Sequence, residues 1–394
     1  MIKKIILILI ILIALIPFWM FIGWLFTPEK ELNVLILDKT VLDTSTPEHK
    51  SLNWILTNNR YLNSKSGPYN NKSDYFGFFP NDSGFFKIKD FQDWSVKSLD
   101  SLANCYDMVY FTDLYGIYEG EWYEKYPGIS PYKTKSVDNS MEHTLKLYGG
   151  MTQNDLSLLK KMKDKNKLII TEFNVIASPT PTAIRSGFEA EFDMHWSGWV
   201  GRYYETLDTL ENKELPRWLK KNYLVQHKQK WPFDKSGIVF VREDDRIEIL
   251  ENRTHLNVEV PIILTSEKYM NKYGLPARMK YPFWFDIIST NSKNKIVSNY
   301  TLNANRIGKK LLKEYGIPET FPAVIEHDGT DYKFYYFAGD FSDNPISLKS
   351  SKFRWIEIIY GPSENNEVQE RISFFWNFYR PLVTKIVSNC YLNK

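Results

Sequence analysis

The sequence predicts an α/β protein: an N-terminal transmembrane helix, then a domain built on a parallel sheet, with a β-rich second half. Three observations predict it. Residues 5–26 form one apolar run without a charge. From there to about residue 200, short β-prone runs alternate with amphipathic stretches. After Ser236 short β-like runs predominate.

A helix needs ~20 apolar residues to cross a hydrocarbon core of ~30 Å, and residues 5–26 are enough. Lys3 and Lys4 precede the run and Glu29-Lys30-Glu31 follow it. This charge pattern predicts a single-pass anchor in the cell membrane, with the N-terminus cytoplasmic, the main domain extracytoplasmic and the bilayer as partner of residues 5–26. Trp19 and Trp24 suit the outer interface. A cleaved signal peptide is the competing reading, but the run is long and has no Ala-x-Ala site. The organisation read from the chain is an anchor at 1–27, an α/β domain at 28–235, a β-rich mixed region at 236–362 and an aromatic C-terminal helix at 363–394. Pro381 should bend that last helix, which docks on the domain or lies against the membrane.

Leu32–Leu37 reads as a buried strand ending in Asp38-Lys39. Thr46-Pro47-Glu48-His49 opens a helix. Residues 63–93, rich in Gly, Asn, Ser and Phe, read as a long loop, and Ser95–Asn104 as a helix. Asp107–Phe111 is a second strand, ending at Thr112-Asp113, followed by an aromatic loop from Leu114 to Tyr148. Gly149-Gly150 leads to Thr152, an N-cap for a helix over Gln153–Lys163. Lys167–Thr171 is a third strand, ending at Glu172-Phe173-Asn174, and Ser178-Pro179-Thr180-Pro181 starts a helix through Phe192. Such alternation implies a parallel sheet flanked by helices, with ligands beyond the carboxyl ends of the strands. Past Ser236, one helix at Asn305–Tyr315 interrupts the β-like runs, which extend the same sheet or form a second lobe.

Composition excludes several classes. The 394 residues carry a net charge of +3 with no basic block, so nucleic acid is not an expected partner. Two cysteines, Cys105 and Cys390, exclude a disulfide framework. The histidines at 49, 143, 195, 227, 255 and 327 show no ligand spacing, so no metal is expected, and without GxGxxG, a P-loop or GxSxG no cofactor or serine nucleophile is either. Aromatic residues reach 16%. They fill a large core or line a cleft for sugars or rings.

The polar strand ends are the candidate site. Asp38, Lys39, Glu48, His49, Asp113, Tyr115, Glu172 and Asn174 fall at one predicted sheet edge, where carboxylates, an amine and an imidazole suit acid/base work. Each alone also fits a cap or turn. Arg185 and Glu189, four apart on a helix, should share a face. Trp196-Ser197-Gly198-Trp199 and Gly201-Arg202-Tyr203-Tyr204 read as a tight loop in which Trp199 and Arg202 bind a ligand or pair internally. Asp340 and Asp343 form the best polar loop of the second half.

The order strand, helix, strand ending in YFTD, Gly-Gly loop, helix, then LIITEFN and a helix, over residues 32–200, resembles the class I glutamine amidotransferase-like α/β fold, a flavodoxin-like arrangement. The resemblance implies a nucleophilic cysteine in the turn at Glu172-Phe173-Asn174. None stands there, so thiol chemistry does not carry over. The phrases LDKTV, TDLYGIY, YGGM, SGWVGRYY and YYFAGDFSD resemble an uncharacterised family of membrane-anchored bacterial proteins, a likeness that supplies no activity. The expected function is a cell-envelope protein whose degenerate amidotransferase-like domain binds a small polar ligand, a sugar among the candidates. The alternatives are a glycan hydrolase using Glu172 and Asp113, and an envelope scaffold.

Overall fold

A computed structural model of the protein describes residues 12, 13, 15–43, 48–130, 145–361 and 371–394. The first apolar runs become β1 (Val34–Asp38), β2 (Phe76–Pro80), β3 (Phe86–Lys89), β4 (Met108–Phe111) and β5 (Leu168–Glu172). Then come β6 (Met194–Tyr204), β7 (Gly237–Arg242), β8 (Ile247–Glu251), β9 (Ile262–Thr265) and β10 (Arg278–Lys280). The last are β11 (Phe285–Thr290), β12 (Lys295–Thr301), β13 (Thr320–Asp328) and β14 (Lys333–Phe337).

The main sheet has ten strands in the order β10-β9-β12-β13-β14-β5-β4-β1-β2-β3. Its centre, β14-β5-β4-β1-β2, is parallel. The flanking pairs are antiparallel. The expected parallel sheet is therefore a mixed one, completed by strands from the second half. A separate antiparallel sheet, β8-β7-β6-β11, covers one end.

Two expected loops are strands. Residues 63–93 contain β2 and β3, because FGFFP pairs its aromatic residues into the core instead of alternating them with polar ones. Gly77, at φ 132°, makes this possible: a Cβ there would stand 1.6 Å from the Asp38 carbonyl oxygen. Residues 196–204 lie within β6, with a bulge between Trp196 and Val200 where Gly198 takes φ 86°.

The helices follow their caps. The described helices include α1 (Ile16–Leu25), α2 (Lys50–Asn58), α3 (Val96–Cys105), α4 (Gln153–Asp164), α5 (Thr182–Phe192), α6 (Arg306–Tyr315) and α7 (Arg380–Leu392). Thr152 and Asp155 close a capping box on α4. Thr46 and Pro47, expected to open α2, lie outside the described residues.

No helix among the described residues is long and apolar enough to cross a membrane. This corrects the expected transmembrane helix and the single-pass membrane placement drawn from it. Of the apolar run, residues 5–11 and Ala14 lie outside the described residues. The helix that is described, α1, has ten residues, about 15 Å. It also packs on the domain: Met20 is buried, its carbonyl accepts from Arg354 N at 2.9 Å, and Trp24 Nε1 donates to Thr57 O at 3.0 Å.

The C-terminal helix docks on the domain. Leu382, Val383, Ile386 and Val387 are buried. Phe375–Tyr379 forms a widened π-helical turn that runs directly into α7, just before Pro381, which has no N–H to give to the helix. Residues 363–370 of the expected helix lie outside the described residues. The aromatic residues are mostly core, as the nested rings of Tyr281, Phe285, Tyr300 and Phe321 illustrate.

Candidate functional site

The register of the parallel strands decides what meets at their carboxyl ends. Leu37 lies beside Phe111, Thr171 beside both Phe111 and Tyr336, and Glu172 beside Phe337. The residues that follow therefore emerge on one edge: Asp38, Asp113, Asn174 and Asp340. Between this edge and the antiparallel sheet lies a cavity of about 330 Å³, lined among others by Asp113, Tyr115, Asn174, Arg202, Trp284 and Asp340. A larger cavity of about 560 Å³ opens near Asp107, Lys167 and Lys394, at the amino ends of the strands. Those lysines are paired with Asp107, and ligands of such sheets bind at the other edge, so the smaller cleft is the candidate.

Asn174 stands in the turn after β5 at φ 61°, a left-handed conformation that asparagine tolerates better than most residues. Its backbone N–H reaches Asp286 Oδ2 at 3.3 Å, and its side-chain amide reaches Asp113 Oδ2 at 3.4 Å. Asp113 Oδ1 accepts from Tyr115 N at 2.6 Å. Burial raises the Asp113 carboxyl well above the ordinary range, helped by the charges of Asp340 and Asp38. Asp286, which also accepts from the Tyr336 hydroxyl, is raised by burial to about 7.

Asp340 is raised to about 6, burial outweighing the Arg371 guanidinium 3.0 Å from its Oδ2. Arg371 also holds Asp343 at 2.6 Å. Glu48 completes this acidic corner. Oxygen atoms of Glu48, Asp340 and Asp343 all lie within 4.8 Å of one another, a spacing that suits a metal ion. Burial, then Asp343 and Asp340, push Glu48 well above its usual range.

Several candidates prove to be internal fasteners. Asp38 and His49 are wholly buried, with Oδ2 and Nδ1 2.7 Å apart, and His49 Nε2 faces Asn71 O at 2.8 Å. Lys39, also wholly buried, bonds to Asp155 Oδ2 at 2.7 Å and Gly150 O at 2.9 Å. Glu172 is wholly buried and does not line the cleft. Its carboxylate accepts from Ser342 and from Tyr110 OH (3.1 Å), and Tyr110 OH lies 3.1 Å from Tyr379 OH of the tail. Burial raises its pKa well above the ordinary range.

On the wall, Arg202 pairs with Glu214 at 2.6 Å and stacks over Tyr204 and Trp284. Arg185 does not pair with Glu189. It bonds to Glu243 at 2.8 Å and covers Trp196, while Glu189 accepts from Trp196 N. Trp199 is buried, with Arg242 and Arg246 against its ring. Sequence reasoning passed over Trp284, Asp286 and Arg371. PFWFD carried a signal for the first two, a tryptophan and a carboxylate inside one strand-like run. Arg371 carried none.

No protein-family model matches the chain, and no curated protein does. Similar solved structures include a β-galactosidase from Bacillus circulans sp. alkalophilus (8% identity, 82% of this chain and 31% of that chain, TM-score 0.33). A ThuA-like protein from Parabacteroides merdae shares 10% identity over 79% of either chain, with a TM-score of 0.34. A carbohydrate deacetylase shares 8% identity over 79% of this chain and 30% of that one, with a TM-score of 0.30. This chain thus spans about a third of the β-galactosidase. Likeness at these scores carries no argument about activity.

Proposed function

We propose that the strand-end cleft binds a small polar ligand of the carbohydrate class. The observation that supports this is the cleft's lining, in which the Trp284 and Tyr115 rings stand beside the carboxylates of Asp113 and Asp340. Sugars offer an apolar face to a ring and hydroxyls to carboxylates, and a few polar groups in an aromatic pocket fix their orientation. The cleft's volume falls within the ~300–1,000 Å³ range of small-ligand sites.

On this reading the domain is a degenerate amidotransferase-like one. The strained turn after β5 supports that view, with Asn174 at φ 61° in the turn where the resemblance implies a thiol. A second reading, glycoside hydrolysis, draws support from the raised pKa values of Asp113 and Asp340. It moves the acid and base to this pair, because Glu172 is wholly buried.

Thermal unfolding against a panel of mono- and disaccharides tests the proposal. A ligand at one hundred times its Kd stabilises by about 2.7 kcal/mol. The shift should vanish in Trp284→Ala and in Asp113→Asn. No shift with any sugar, from a folded protein, would overturn the reading. Turnover of a bound sugar, lost in Asp340→Asn with binding retained, would favour the hydrolase.

A further inference from the structure

We infer that Glu48, Asp340 and Asp343 form a binding site for one hard divalent cation of the Mg2+, Ca2+ or Mn2+ class. The three side chains bring oxygen atoms within 4.8 Å of one another. Oxygens up to 4.8 Å apart can share one ion at about 2.4–2.6 Å, and closer ones a smaller ion. Carboxylates with no sulfur or imidazole select hard cations.

A second observation points to a ligand there. Asp340 is 9% exposed, yet its Oδ1 meets no hydrogen-bond partner among the described residues. Glu48 Oε2 is buried in the same condition. Buried carboxylate oxygens are normally satisfied, because an uncompensated one is costly. Two such oxygens in one corner are acceptors that a cation would satisfy.

Arg371 does not already fill that role. Its guanidinium takes Oδ2 of Asp340, and Oδ2 and the carbonyl of Asp343. It bonds to no atom of Glu48 among the described contacts. One guanidinium thus faces three carboxylates, and its fork fixes two of them from one side. On the other side, Glu48 is followed by a fixed residue. Its neighbour His49 is clamped to Asp38 through both backbone N–H and ring. Two of the three ligands are therefore pre-set by Arg371, which lowers the ordering cost of binding. Asp340 also lines the cleft, so the proposed site adjoins it through that one residue. The inference stands without any sugar being bound.

Calorimetric titration of MgCl2, CaCl2 and MnCl2 into the chelator-treated full chain tests it. The expected result is one ion per chain for at least one metal, with a Kd of roughly 10⁻⁵–10⁻³ M. Glu48→Gln and Asp343→Asn should each weaken it at least tenfold. Glu48→Gln should unfold at the wild-type temperature in chelator and lose only the metal-induced rise. That pattern separates a ligand from a structural carboxylate. Either of two results would overturn the site: no binding at millimolar metal, or binding that both variants leave unchanged.

Discussion

Asp38 Oδ2 lies 2.7 Å from His49 Nδ1, and neither side chain reaches solvent. The other ring nitrogen meets the Asn71 carbonyl at 2.8 Å, so the imidazole has no position left for a ligand's proton. The pair fastens the end of β1 to the start of α2. Removing one member of a buried pair leaves the other uncompensated, at a cost of about 3–5 kcal/mol. His49→Ala should therefore lower the urea-unfolding free energy by that amount. A loss below about 1 kcal/mol would show that the pair is not a fastener.

Asp286 gives a pH signature. Burial raises its pKa from the ordinary 3.8 to about 7 in the folded chain. A carboxyl raised on folding binds its proton more tightly in the native state. Its contribution is whole below pH 4 and is lost as pH rises through 7, a total on the order of 4 kcal/mol. Wild type should thus lose stability across that window relative to Asp286→Asn. Parallel stability curves for the two proteins would contradict the assignment.

The turn at Asn174 separates backbone strain from side-chain bonding. At φ 61° a Cβ is penalised, and glycine is not. Asn174→Ala should be less stable than Asn174→Gly by about 1–2 kcal/mol, since both lose the amide contact to Asp113 and only alanine keeps the clash. Chemical denaturation of the two variants measures the gap directly.

The parallel strands were legible because runs such as LNVLIL and KLIIT end abruptly in Asp or Glu, and burial on both faces demands that pattern. The edge where they end was legible for the same reason. What each polar residue does there was not. Lys39 finds Asp155 at a separation of 116 residues, and Glu172 finds Ser342 at 170. No local pattern encodes such partners. The N-terminal run misled because hydropathy reads the same for a helix in lipid and for one that packs Met20 and Trp24 on a protein.

The docking of the tail can be tested by a cavity. Leu382 is wholly buried on α7. Leu382→Ala should cost about 2–5 kcal/mol, depending on how far its surroundings collapse. Differential scanning calorimetry would read this as a lower Tm for the whole domain. A separate early transition would instead mean that the tail melts alone.

The seat of β5 between β4 and β14 also constrains how the chain is made. One neighbour precedes it closely, but the other, Lys333–Phe337, leaves the ribosome only after the whole antiparallel sheet has been synthesised. Until then the nascent chain carries an open, apolar strand edge able to recruit other chains. Pairings this distant in sequence also form slowly. The protein should therefore depend on chaperones during translation, and incomplete chains should be its aggregating species.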